Sequence, residues 1–266
     1  MKPKIQISAK QLGSLALDAF CPRCFWIRMM CGGRLPYQTF PGIFSSIDSY
    51  SKKLTSSHFR QHGRVPKWFE SFGDFGSPIR VPGWSKFQMV DPETNVLLTG
   101  VPDEILRHPK RGVTILDYKT ARHTSTQDEL MPMYEVQLNC YALIAERIGF
   151  GRVCGLGILY YEPLTELKDL NWESLIQDDR FFLQFSPKLK RVNVEPDIIP
   201  PLLNRAREIC DNAECPTARP DCRDCCKLET IVRATGIPCF NLKEQLIRSL
   251  NLWGTSQHQV APQSSP

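Results

Sequence analysis

The chain has 266 residues, 42% hydrophobic and 23% charged, which is an ordinary globular composition with enough apolar residues to bury a core. Its formal net charge of +5 is a mild bias toward polyanionic partners and does not by itself indicate nucleic-acid binding. No apolar run approaches the roughly 20 residues that a membrane-spanning helix needs, so we expect no membrane association.

Eleven cysteines are present, and the N-terminus lacks the apolar stretch of a secretory signal. Together these features argue against a disulfide scaffold. They predict a cytoplasmic protein whose cysteines are buried or bound to metal.

Hydrophobic periodicity predicts a mixed α/β domain with a central sheet flanked by helices. The predicted helices cover residues 10–31, 44–62, Met133–Ile148, Pro196–Asp211 and Leu242–Leu250. The predicted strands are Phe87–Val90, Val96–Val101, Asp103–Arg107, Val113–Lys119, Val153–Tyr161 and Phe181–Phe185.

Two acidic residues, Asp103 and Asp117, lie on neighbouring predicted strands joined by a short turn. Residues i and i+2 of a strand point to the same face, so Asp117 and Lys119 should project together. Two carboxylates and an ammonium are the groups needed to hold Mg2+ and activate water. An Asp-x-Lys triplet also occurs by chance as a solvated surface pair, and alone it is a weak motif.

Gln137 and Tyr141 stand four residues apart on the strongest predicted helix and therefore share one of its faces. An amide and a phenol on one face can position a phosphate or a metal-bound water. The alternative is that Tyr141 is a core aromatic residue with Gln137 at its margin.

The order Gly100-x-x-Asp103, then Asp117-x-Lys119, then Gln137-x-x-x-Tyr141 resembles the RecB-like branch of the PD-(D/E)XK nuclease superfamily. That branch includes the nuclease domains of RecB and AddB and the CRISPR-associated RecB-like exonucleases. The resemblance implies an α/β fold with a restriction-endonuclease-like core, a central mixed β-sheet flanked by helices. It also implies hydrolysis of DNA phosphodiester bonds with Mg2+ or Mn2+.

The resemblance further implies roles for individual residues. Asp103 and Asp117 would bind the metal together with the backbone carbonyl of Tyr118, and Lys119 would be the catalytic lysine. Gln137 and Tyr141 would support the site. Relatives carry one more metal or water ligand on an early helix, and here Asp48 is preferred over His58 for that position.

We accordingly expect one PD-(D/E)XK nuclease-like domain over residues 1–252. Its N-terminal helical part would cover 1–77, its core 78–190, and its C-terminal helix and cysteine cluster 191–252, with a disordered polar tail over 253–266.

Two Cys-x-x-Cys pairs, Cys21 with Cys24 and Cys222 with Cys225, can supply four thiolates to a zinc ion or a 4Fe–4S cluster. The pairs are about 200 residues apart, so only the fold can bring them together. RecB-like relatives with iron–sulfur clusters join such distant cysteines, although the C-terminal spacing here departs from theirs. Spacing alone leaves a cluster, zinc or no metal open. Cys31, Cys140 and Cys154 are predicted to be buried.

Four basic residues flank the two acidic strands, and they predict a salt-dependent, sequence-independent grip on DNA. They are Arg107, Lys110, Arg111 and Arg122. Each alone is also compatible with an ordinary solvated charge. No recognition-helix motif is present, so sequence-specific readout is not expected.

The leading hypothesis is a metal-dependent DNA nuclease that acts as an exonuclease or on ends or single strands, in DNA repair, recombination or mobile-element processing. Its partners would be DNA and recombination, CRISPR or phage DNA-processing proteins. Two alternatives remain open: a non-catalytic DNA-binding adaptor on the same fold, and a cysteine-metal structural protein.

Overall fold

A computed structural model describes residues 3–32, 41–73, 77–108, 110–122, 124, 128–166, 168 and 171–235. The chain divides into two compact units, one comprising Met1–Asp18 and Thr39–Arg207 and the other comprising Ala19–Gln38 and Glu208–Pro266. The predicted helix Leu242–Leu250 and the predicted tail 253–266 lie outside the described residues. The single domain over 1–252 stays a prediction.

The described residues form short strands and seven α-helices. The strands are β1 (Ile5–Ser8), β2 (Pro78–Ile79), β3 (Gln88–Val90), β4 (Val96–Thr99), β5 (Glu104–His108), β6 (Gly112–Lys119), β7 (Val153–Pro163), β8 (Ile176–Gln177), β9 (Arg180–Phe181) and β10 (Phe185–Val192). The helices are α1 (Ala9–Gly13), α2 (Pro22–Met30), α3 (Gly42–His62), α4 (Met131–Arg147), α5 (Trp172–Leu175), α6 (Ile199–Asp211) and α7 (Arg223–Thr235).

The first unit is built on a five-stranded mixed sheet with the order β10-β7-β6-β5-β2. Strands β6 and β7 are parallel, and α4 forms the crossover between them, whereas the other neighbours are antiparallel. A smaller sheet has the order β1-β4-β3. The predicted mixed α/β fold, a central sheet flanked by helices, is confirmed.

Side chains of β6 alternate between two environments, as its strand period requires. Leu116 and Tyr118 join an apolar cluster with Leu106, Leu159 and other buried side chains. Asp117 points to the opposite face, where α4 contacts both β6 and β7. Both faces of the sheet are therefore packed, since Ile115 is also buried on the α4 face, and Asp117 is a polar group within that buried face.

The single helix predicted over residues 10–31 is wrong in extent. Helix α1 ends at Gly13, a 3-10 turn covers Ser14–Ala16, and α2 begins only at Pro22. Proline is favoured in the first helical turn, and it pushes the preceding residue toward an extended conformation, which Cys21 adopts with φ −125° and ψ 117°.

No helix in the described part of the chain is both long and apolar enough to cross a membrane.

The predicted strand Phe181–Phe185 is also wrong, because this apolar run is divided between β9 and the start of β10. Phe181 and Leu183 are 76% and 64% exposed, so the run does not report burial. Strand β10 was missed because it contains Pro187 and several basic residues. Proline is tolerated there since β10 is an edge strand of the sheet.

Gly112 begins β6 with φ 120°, and a Cβ atom there would lie 2.0 Å from the Arg152 carbonyl oxygen. We expect Gly112→Ala to lower the free energy of unfolding by about 1–3 kcal/mol, because both the φ angle and the contact become strained. The matched control is Gly83→Ala, since a Cβ at that position meets nothing within 4 Å. Urea denaturation measures both variants, and equal stability of the two would contradict this account of β6.

Candidate functional site

Asp103 and Asp117 lie opposite each other at the ends of paired strands. Glu104 pairs with Leu116 in the antiparallel ladder, and the backbone N–H of Asp103 donates to the Leu116 carbonyl at 3.1 Å. Extending that register by one residue sets Asp103 across from Asp117. The structure therefore brings the two carboxylates together at the end of the hairpin away from its turn.

Lys119 projects from the same face of β6 as Asp117. Its ammonium forms an ion pair with Asp117 Oδ2 and lies 4.5 Å from the centre of the Tyr134 ring. Burial lowers the pKa of Lys119, but the Asp117 charge and ion pair outweigh burial, and the net pKa is raised. Lys119 therefore stays cationic, which suits it to stabilise negative charge or orient water rather than to accept a proton.

Gln137 and Tyr141 share the face of α4 that covers β6. The Gln137 amide donates to Asp117 Oδ1 at 3.1 Å and to the Tyr141 hydroxyl at 2.7 Å. All three side chains are buried. The amide thus fixes the orientation of the Asp117 carboxylate, and the phenol in turn fixes the amide.

The glycine at position 100 has a packing reason. A Cβ atom there would lie 2.4 Å from Cε1 of Tyr141 and 3.2 Å from the Cβ of Ala9. Any side chain at this position would push the Tyr141 ring aside, and through Gln137 it would disturb Asp117. The Gly100-x-x-Asp103 pattern therefore connects a backbone position to the orientation of the second carboxylate.

Both oxygens of Asp103 have partners. The Lys52 ammonium lies 2.8 Å from Oδ1, and the backbone N–H of Tyr118 donates to Oδ2 at 2.5 Å. Burial, followed by the charge of Asp117, raises the pKa of Asp103 to about 6, although Lys52 and the Tyr118 N–H act in the opposite direction. The surroundings thus disfavour the ionised carboxylate, and an additional cation would relieve that cost.

Asp48, the predicted early-helix ligand, is linked to the site through Lys52. Both residues lie on α3 four positions apart, and the Lys52 ammonium is 2.8 Å from Asp48 Oδ2. His58 instead places Nδ1 3.1 Å from the Arg64 carbonyl oxygen. The sequence did not predict the contact between Lys52 and Asp103, because an Asp–Lys pair at i, i+4 is common on solvated helix faces.

Glu104 is a second residue that sequence reasoning missed. It follows Asp103 directly on the strand, so it points to the opposite face, where it is buried and accepts a hydrogen bond from the Tyr118 hydroxyl at 3.3 Å. Burial raises the pKa of Glu104 to about 7. The feature of the sequence that could have identified Glu104 is a charged residue at a strand position that faces the core.

The oxygens around Asp117 fit a hard divalent cation. Asp117 Oδ2 is ion-paired with the Lys119 ammonium, whereas Gln137 Oε1 is buried and makes no hydrogen bond with the described residues. Buried polar atoms are normally satisfied, so a buried amide oxygen beside two carboxylates suits a hard cation such as Mg2+ or Mn2+. Asp103 and Asp117 would hold the ion, and a contribution from the Tyr118 carbonyl stays a prediction.

The basic residues predicted to bind DNA lie at two different places. Arg122 follows β6 at the end that carries Lys119, and it donates to the Thr165 hydroxyl. Arg107, Lys110 and Arg111 lie at or near the hairpin turn, and at ~3.3 Å per residue Arg107 is about 13 Å from Asp103 and Arg111 about 20 Å from Asp117. The structure does not bring these three to the site, and their contact with DNA stays a prediction.

In the second unit, Cys21, Cys24, Cys222 and Cys225 place their four Sγ atoms within 4.8 Å of one another. The closest pairs are Cys24 with Cys225 at 3.4 Å and Cys24 with Cys222 at 3.5 Å. Burial raises the pKa of Cys21, but the Arg219 N–H and neighbouring groups lower it to a net value of about 7. Burial raises the pKa of Cys24 and raises that of Cys225 to about 12, so it is the convergence of the four sulfurs rather than their acidity that suits the group to hold a metal.

The remaining cysteines follow the prediction unevenly. Cys140 is fully buried on α4, and Cys31 is half-buried. Cys154 is exposed, so the prediction that it is buried is wrong. It lies on β7 beside the point where the register with β6 shifts between Val113 and Thr114.

The raised pKa of Asp103 predicts how the stability of the folded protein changes with pH. Its pKa is about 6 in the folded protein against an ordinary 3.8, so the folded state binds the proton more tightly and loses stability as the pH rises between these values. We expect Asp103→Asn to become progressively more stable than the parent from about pH 4 to about pH 6, with a constant difference above that range.

Urea denaturation in EDTA at several pH values measures this difference. Asp179→Asn is the control, because the Asp179 side chain is 87% exposed. A difference between parent and Asp103→Asn that does not change with pH would show that burial of the Asp103 charge is not costly.

No curated protein sequence is significantly similar to this chain. One solved structure, described as "Crystal structure of SSO0001", is similar at 10% sequence identity over 80% of each chain, with a TM-score of 0.39, which is too distant to support an argument. The family model of the PD-(D/E)XK nuclease superfamily matches residues 45–228, a span that includes both carboxylates, the lysine and the Gln/Tyr helix. The chain therefore belongs to the PD-(D/E)XK nuclease superfamily.

Proposed function

We propose that this protein is a Mg2+- or Mn2+-dependent deoxyribonuclease of the RecB-like branch. One observation carries the proposal: Asp103, Asp117 and Lys119 converge where β5 begins and β6 ends, and Gln137 and Tyr141 form a hydrogen-bonded pair that orients Asp117. Membership in the superfamily suggests a nuclease. The branch is supported by the order of these residues along the chain.

Asp103 and Asp117 would hold the divalent cation. When bound, the cation supplies a Lewis acid for the scissile phosphate and lowers the pKa of water. Gln137 keeps the Asp117 carboxylate in a fixed orientation, so less reorganisation is needed when the substrate arrives. Tyr141 is buried behind the amide and acts as a positioning residue.

Lys119 contributes a permanent positive charge. Its raised pKa means that its N–H groups donate hydrogen bonds, either to the attacking water or to phosphate oxygens on which negative charge develops. The Tyr134 ring beneath the ammonium restricts where it can point. Lys119 would therefore orient the attacking water and stabilise the developing negative charge, and the proton lost by the water would pass to the surrounding solvent.

The proposed substrate is DNA, which the protein would cleave as an exonuclease or at ends and single strands. The supports are the motif order shared with RecB-like exonucleases, the net charge of +5 and the exposed Arg122 beyond β6. A nuclease of this kind would serve DNA repair, recombination or mobile-element processing. Recombination, CRISPR or phage DNA-processing proteins would be its partners.

We expect Asp117→Ala and Lys119→Ala each to reduce cleavage of labelled DNA by roughly 100-fold or more, because each removes charge stabilisation at the site. The assay uses single- and double-stranded DNA with Mg2+ or Mn2+, and EDTA should abolish cleavage. Lys86→Ala is the control, since this exposed lysine lies outside the site.

Two results would count against the proposal. If both variants cleave as fast as the parent, the mechanism is wrong. If the parent binds DNA but never cleaves it, the adaptor alternative is favoured.

We further propose that the four clustered cysteines bind a metal. Tetrahedral zinc with ~2.3 Å bonds to sulfur requires S–S separations of about 3.8 Å; three of the contacts here are 3.4–3.7 Å, and all four Sγ atoms lie within 4.8 Å of one another. A 4Fe–4S cluster inserts four iron atoms among the thiolates, so it would require the sulfurs to move apart. The spacing therefore favours a single ion.

Elemental analysis of anaerobically purified protein tests this site. We expect about one zinc per chain in a colourless protein, with the metal lost in Cys222→Ser and retained in Cys226→Ser. Cys226 is the matched control, because it is exposed, follows Cys225 directly on α7 and lies outside the group. A brown protein with iron and sulfide would replace zinc by a cluster, and a parent without any metal would remove the site.

A further inference from the structure

Lys52 lies between two carboxylates of the candidate metal site. Its ammonium is 2.8 Å from Asp103 Oδ1 and 2.8 Å from Asp48 Oδ2. One cation is thus shared by the strand carboxylate and the early-helix carboxylate. A divalent ion coordinated by both carboxylates would have to occupy the position that the Lys52 ammonium takes here.

The two partners of Asp103 differ in whether they can leave. The N–H of Tyr118 belongs to the backbone of β6, which is paired on both sides, so its hydrogen bond to Oδ2 is fixed by the sheet. Lys52 reaches Oδ1 from α3 on a flexible four-carbon stem, and its side chain is 37% exposed. A cation that coordinates Oδ1 would therefore displace Lys52 and leave the Tyr118 bond intact.

The charges point the same way. Asp48, Asp103 and Asp117 face two ammonium groups, Lys52 and Lys119, so one negative charge is left uncompensated. Removing Lys52 would raise the uncompensated charge to two. Because a divalent cation is attracted by that charge, the metal-free protein with Lys52 in place should bind metal less tightly than a protein without it.

We propose that Lys52 is a displaceable counter-cation of the metal site, which occupies Asp103 and Asp48 in the metal-free protein and is expelled when the divalent ion binds. This inference rests on the proposed function, because it requires Asp103 and Asp117 to be the metal ligands. Lys52 then raises the concentration of divalent metal that is required to fill the site. It also neutralises part of the charge of Asp48 and Asp103 before metal binds, so these two carboxylates repel each other less in the folded, metal-free protein.

The test is Mn2+ affinity, measured by the loss of the free-ion electron paramagnetic resonance signal, for the parent, Lys52→Met and Lys53→Met. Methionine keeps the apolar stem and removes the charge. We expect Lys52→Met to bind Mn2+ roughly tenfold more tightly, the factor that about 1.4 kcal/mol of competing interaction represents. Lys53→Met, an exposed neighbour on the same helix, should match the parent. Equal or weaker binding by a folded Lys52→Met would overturn the inference.

A measurement on the parent covers the case in which Lys52→Met does not fold. Reductive methylation with 13C-formaldehyde labels lysines, and the resonance of Lys52, assigned with Lys52→Arg, should move toward that of a free dimethyl-lysine when Mg2+ is added. A resonance that does not move at saturating Mg2+ would equally overturn the inference.

Asp117→Asn separates this inference from the function beneath it. If Asp117→Asn binds Mn2+ as well as the parent, the proposed metal site itself fails. If Asp117→Asn loses Mn2+ while Lys52→Met is unchanged, the metal site stands and only the displacement of Lys52 is refuted.

Discussion

The carboxylates of Asp103 and Asp117 repel each other across one pair of antiparallel strands, and the neighbouring residues compensate for that repulsion. A single ladder register sets the two groups opposite each other, with the Asp103 N–H bonded to the Leu116 carbonyl. Their mutual charge and their burial together raise the pKa of Asp103 to about 6. Stability alone would not favour such a pair, so a divalent cation gives it a physical reason.

The compensating groups come from two helices, α4 and α3. On the α4 side, Lys119 pairs with Asp117 and Gln137 orients it, while Tyr141 packs where only a glycine at position 100 leaves room. From α3, Lys52 reaches the edge of the sheet and pairs with Asp103. The site is therefore preorganised by the crossover helix α4, and Lys52 of α3 neutralises part of its negative charge.

Local sequence rules predicted what depends on one strand or one helix. Asp117 and Lys119 share a face because strands have a period of two, and Gln137 and Tyr141 share one because helices bring i and i+4 together. The contacts of Lys52 and Glu104 at the site were not predicted, because they depend on where other elements pack. Pro22 divided a predicted helix, and Pro187 concealed an edge strand. The four cysteines could be paired only by the fold, since about 200 residues separate them.

The central claim is that Asp103 and Asp117 jointly ligate a divalent cation. The most direct measurement is an anomalous difference map from a crystal soaked in Mn2+. The account predicts one strong peak within bonding distance of a carboxylate oxygen of each aspartate. A map with no peak there, or with manganese bound elsewhere while both carboxylates keep the partners described above, would contradict it.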